Sequence, residues 1–80
     1  MTISDRVLNV LVDVSEIEDV RREPDVRLYD LQILDSMATA RLIVALSSEF
    51  GVEISPAEVD HEEWATPRKI ISYMERKVAA

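Results

Sequence analysis

Eighty residues allow one domain with one small core, here spanning 1–80, since only larger chains divide their cores. The absence of cysteine excludes a disulfide framework and a thiolate metal site, and it fits a reducing compartment. Sixteen Asp and Glu against nine Lys and Arg give a net charge of −7, which opposes binding to nucleic acid or anionic membranes and favours partners with basic faces.

The first predicted element is an amphipathic helix over residues 2–16, because Ile3, Val7, Val10, Leu11 and Val14 recur at three- and four-residue spacing. Arg6, Asn9, Asp13 and Glu16 fall on or near its solvent side. Residues 17–34 lose the helical period and contain Pro24-Asp25, so they read as a long loop. Val26, Leu28, Leu31, Ile33 and Leu34 supply apolar anchors for it. Each well-buried anchor contributes roughly 1.5–3 kcal/mol against the entropy of ordering the loop.

A second helix starts at Asp35 or Ser36 and runs to Phe50, with Met37, Ala40, Ile43, Leu46 and Phe50 as its stripe, and Leu42 and Val44 widening it. Gly51, the only glycine, stands where a left-handed cap ends a helix. Ser55-Pro56-Ala57-Glu58 has the pattern of a capping box with proline at the first helical position, so a short third helix begins there. Residues 61–65 form an irregular connection. Thr66-Pro67 then opens the last helix, which buries Ile70, Ile71, Tyr73, Met74 and Val78 and gathers Arg76 and Lys77 at its end. The expected fold is all-α: three main helices plus one short helix, with a long loop between helices 1 and 2. The longest apolar run, Leu42 to Leu46, is too short to span a bilayer. The first residues lack the basic and apolar regions of a signal peptide. A soluble cytoplasmic protein without membrane insertion is expected.

Leu34-Asp35-Ser36-Met37 is the segment that carries chemistry. Asp35 can cap the second helix by accepting from first-turn N–H groups. Ser36 then sits at the positive helix end, beside donors that suit a phosphate. No glycine-rich phosphate cradle precedes this serine, and no general base is near it in sequence. His61, the one histidine, has no second histidine or cysteine to build a metal site with. A serine presented without a catalytic apparatus suggests a residue that other enzymes modify, while Asp-Ser by itself is also a common helix-start dipeptide. Asp35 could also hold a metal ion while that transfer occurs.

This segment, the helix after it and Phe50-Gly51-Val52-Glu53-Ile54 resemble phosphopantetheine carrier proteins. Within them, Val59-Asp60 and Glu63-Trp64-Ala65-Thr66-Pro67, followed by the isoleucine-rich last helix, are similar to the D-alanyl carrier proteins of teichoic acid modification. The resemblance implies 4′-phosphopantetheine on Ser36, D-alanine held as a thioester, and no catalysis by the chain itself. It implies three partners: a phosphopantetheinyl transferase, a D-alanine-activating ligase and a membrane-bound acyltransferase. Two departures stand out. Gln32 replaces the glycine usual three residues before the motif aspartate, and Arg41 and Ala45 occupy helix positions where fatty-acid carriers present acidic residues.

On this reading Met37, Val44, Leu34 and Glu58 are the candidate docking residues. Spacing alone also fits Met37, Leu42 and Val44 to the core. Trp64 is expected to anchor the last helix, and Tyr29 and Tyr73 to pack with wet hydroxyls. Two alternatives share the composition: a stand-alone peptidyl or acyl carrier for another cargo, and a cofactor-free acidic adaptor.

Overall fold

A computed structural model describes residues 2–79. Helix α1 spans Ile3–Ser15 and starts at a capping box in which Thr2 Oγ1 accepts from the Asp5 N–H at 3.1 Å. It ends at Glu16, whose φ of 61° breaks the helical path. Its apolar stripe buries Val7, Val10 and Leu11. The predicted solvent-side Arg6 has a larger role. Its Nε reaches Glu49 Oε2 at 2.9 Å, its Nη2 reaches the Glu49 carbonyl at 2.7 Å, and the guanidinium lies 4.4 Å from the Phe50 ring centroid. A cation is thereby placed at the C-terminal end of the next helix, where the helix dipole favours it.

The long connection is more ordered than a loop. Glu18–Arg21 form a 3-10 turn that buries Val20, a core residue outside the predicted anchors. Leu28 and Leu34 are buried as expected and Val26 and Ile33 partly so, but Leu31 is 63% exposed. Leu31 is no anchor because Leu28 and Leu34 already fill the core side of a tight turn, where the Ile33 and Leu34 N–H groups both donate to the Leu28 carbonyl. Cross-links hold the loop to distant chain: the Leu28 N–H donates to the Ala65 carbonyl, and the Arg68 N–H to the Pro24 carbonyl, each at 2.9 Å.

Helix α2, Ser36–Phe50, buries Leu42, Ile43 and Leu46, and ends at Gly51 with φ 65°. Its inward face differs from the expected stripe, since Met37 and Ala40 are exposed. The predicted short helix is a single 3-10 turn, Pro56–Glu58, with the Ser55–Glu58 capping box in place. Helix α3, Pro67–Ala79, buries Pro67, Ile70, Tyr73 and Met74, while Val78 stays at the surface. Helix α1 packs on both α2 and α3. Fully buried Trp64 meets the Tyr73 ring edge-on, at 5.6 Å and 79°, and so anchors α3. Lys69–Glu62, Arg76–Glu63 and Lys77–Glu58 ion pairs tie α3 to the segment before it. Among the described residues, no helix is long and apolar enough to cross a membrane.

Candidate functional site

The site is built on the first turn of α2. Asp35 is the N-cap, with extended backbone, and its Oδ1 accepts from the Ala38 N–H at 2.8 Å. The Asp35 carbonyl accepts from the Thr39 N–H, also at 2.8 Å, which closes the first helical bond. Helix geometry leaves the N–H groups of Ser36 and Met37 without intrahelical acceptors. Ser36 is exposed directly after the cap, so a group on its Oγ meets solvent on one side and these donors on the other.

The loop before the helix is shaped to deliver the serine. Leu34, proposed as a docking residue, is 2% exposed and packs in the core. That burial pins the backbone immediately before Asp35 and removes the side chain from any partner's reach. Gln32 sits at φ 60° and its N–H donates to the Tyr29 carbonyl at 3.1 Å. The turn associated with glycine thus forms here with a side chain present, in the left-handed region that costs residues bearing a Cβ.

Tyr29 and Thr39 were outside the expected site and help to fix it. Thr39 Oγ1 donates to the Asp35 carbonyl at 2.8 Å, which commits its proton, so Tyr29 OH donates to Thr39 Oγ1 at 2.7 Å. Burial pushes the Tyr29 hydroxyl above the ordinary tyrosine value, partly offset by that hydrogen bond. The hydroxyl expected to be wet is therefore a strut between loop and helix. Sequence carried only a weak signal for it, a threonine four residues after the cap.

Two cavities open at Ser36. One, of about 500 Å³, is lined by Tyr29, Gln32, Leu34, Asp35, Ser36 and His61. The other is an apolar groove of about 340 Å³ between α2 and the Pro56–Val59 segment, walled by Ala40, Ile43, Val44, Pro56 and Val59 and reached by both Ser36 and His61. Among the candidate docking residues, Met37 and Val44 are 67% and 69% exposed. They share the outer face of α2 with Ala40 and Arg41, also exposed. Glu58 is engaged within the chain: Lys77 Nζ donates to its Oε1 at 2.7 Å and the Ser55 N–H to its Oε2 at 3.1 Å. The Lys77 hydrogen bond holds the Glu58 carboxyl below the ordinary glutamate range. Among the described residues, no group of three or more His, Cys, Asp or Glu could hold a metal ion.

A family profile described as a phosphopantetheine attachment site matches residues 5–74. The chain belongs to the phosphopantetheine carrier family. Its cofactor is a covalently bound 4′-phosphopantetheine. The site suits that group: an exposed hydroxyl at a capped helix start, unpaired backbone donors for a phosphate, and open space on two sides. Among relatives, a D-alanyl carrier protein of Lacticaseibacillus rhamnosus is 40% identical over 74 residues, 92% of this chain and 91% of the relative. D-alanyl carrier proteins of Staphylococcus saprophyticus and Enterococcus faecalis are 36% and 35% identical over 75 residues, 94% of this chain and 96% of each relative.

Proposed function

We propose that this carrier holds D-alanine as a thioester on a phosphopantetheine arm attached to Ser36, for D-alanylation of teichoic acid. Similarity to D-alanyl carrier proteins over more than nine-tenths of the chain carries this reading. On a separate transferase, Ser36 Oγ attacks the pantetheine-bearing phosphorus of coenzyme A. The Oγ–P bond forms as the pyrophosphate P–O bond breaks, 3′,5′-adenosine bisphosphate leaves, and a base of the transferase takes the hydroxyl proton. The helix start supports the phosphodiester with the N–H groups of Ser36 and Met37. Asp35 keeps its carboxylate on the Ala38 N–H and so holds the cap, with Ser36 exposed directly after it. The thiol of the arm supplies the thioester that keeps the amino acid activated.

The chain itself does no bond-making in this scheme. A D-alanine-activating ligase charges it in the cytoplasm, and a membrane-bound acyltransferase accepts the cargo. Met37 and Val44, large apolar side chains exposed on the helix that presents Ser36, are the contacts for these partners. Neither nucleic acid nor direct membrane insertion has a part in it.

Charging the loaded protein with a D-alanine ligase and ATP tests the cargo. The expected product is a hydroxylamine-sensitive D-alanyl thioester on wild type and none on Ser36→Ala. A protein that carries its arm but takes no D-alanine would be a carrier for another cargo.

A further inference from the structure

An imidazole from a distant part of the chain shares two cavities with the serine. His61 lies in the turn between the 3-10 segment and α3. Its ring stacks on Tyr29, with centroids 4.0 Å apart and planes 9° from parallel. Tyr29 is in turn fixed to the first turn of α2, through Thr39 Oγ1 and the Asp35 carbonyl. The histidine is therefore held in place from the N-cap itself. Together with Ser36 it lines both cavities that open at the serine.

We propose that His61 is a positioning residue for the attached arm, donating a hydrogen bond to the phosphodiester on Ser36. The proposal rests on Ser36 being the attachment site. A phosphodiester carries a fixed negative charge and only accepts hydrogen bonds. The helix start offers it backbone donors from one side, and His61 offers a side-chain donor from another. When the imidazole is protonated that bond is charge-assisted and shorter. Holding the phosphate between α2 and the turn that carries His61 limits the directions in which the arm leaves the protein, and the Tyr29 stack fixes the plane of the donor ring.

The other charged groups around the imidazole are Arg27, Asp30 and Glu62 on one side and Asp35 on the other. Arg27 and Asp30 pair with each other at 2.8 Å. Guanidinium and carboxylate groups ordinarily keep their charge between about pH 6 and 8, while histidine is the side-chain type that changes it there. His61 is the only histidine in the chain, and the α-amino group also changes charge in that window, so the comparison with a His61 variant is what assigns a response of the phosphate to the imidazole.

The test is phosphorus NMR of the loaded protein across this pH range, for wild type and His61→Gln, with folding checked by circular dichroism. The phosphodiester resonance of wild type is expected to move in step with the His61 ring signals and to stay flat in His61→Gln. A flat wild-type resonance while the His61 ring titrates, or an equal movement in the variant, overturns the proposal. Intact mass on the same samples reads the attachment separately. Loading of wild type but not of Ser36→Ala upholds the attachment site whatever the phosphorus spectrum shows, and loading that survives Ser36→Ala overturns both.

Discussion

Replacing Gln32 with glycine should stabilise the fold, and the backbone allows the size to be worked out. Gln32 is exposed, with φ 60°, in the turn that delivers Asp35 and Ser36. Left-handed backbone costs a residue with a Cβ roughly 1–2 kcal/mol. Glycine removes that cost but loses about 0.5–1 kcal/mol more conformational freedom on folding. The net gain is about 0.5–1 kcal/mol, a rise in Tm of about 2–8 °C for a domain of this size. Gln32→Ala is the control: it keeps the Cβ, and its change should stay within about 0.5 kcal/mol. Thermal and urea unfolding followed by circular dichroism would measure both. A Gln32→Gly protein no more stable than wild type, at an unchanged urea slope, would refute the reasoning and mean that the turn is not strained.

Three further expectations concern the site and its supports. Asp35→Ala removes the Ala38 N–H acceptor and should cost about 1 kcal/mol in urea unfolding, the usual loss for a helix N-cap. Met37→Lys with Val44→Lys should leave Tm within about 2 °C, because both side chains are exposed. The same pair should slow charging by the ligase about tenfold, equivalent to about 1.4 kcal/mol of lost docking energy; unchanged charging would remove these residues from the docking face. Glu58 is held below its ordinary range, first by the Lys77 hydrogen bond, and a depressed carboxylate stabilises the fold above its unfolded value and loses that effect as pH falls through the folded one. Tm should therefore drop between about pH 5 and 3, and the drop should be shallower in Lys77→Met; equal slopes would show that the pair does not couple to folding.

Much of this architecture can be read along the chain, because caps and periodicity are local. Thr66-Pro67, Ser55-Pro56 and Gly51 mark their boundaries by backbone chemistry alone, and each stands where the structure ends or begins an element. The inward face of α2 is less legible. Met37, Ala38, Ala40, Leu42, Ile43, Val44, Ala45 and Leu46 are apolar around most of the helix, so spacing cannot say which side meets α1. Packing decides it, leaving Met37 and Val44 outside. Val20 escapes notice because a lone apolar residue in a 3-10 turn has no period.

The capped helix start that carries Ser36 is legible from Asp35 and the helix that follows, since a cap acts within a few residues. Its surroundings are not. The Tyr29–Thr39 hydrogen bond and the Tyr29–His61 stack join residues far apart in sequence, and no local pattern announces either. Leu34 shows the opposite error: adjacency to the motif suggests contact with partners, while burial makes it a foundation of the turn.

The central claim is that Ser36 carries the arm. Intact mass before and after incubation with coenzyme A and a broad-specificity phosphopantetheinyl transferase tests it directly, with Ser36→Ala alongside. The account predicts the gain of one phosphopantetheine on wild type and none on the variant. No gain on folded, initially unmodified wild-type protein, or an equal gain on Ser36→Ala, would contradict it.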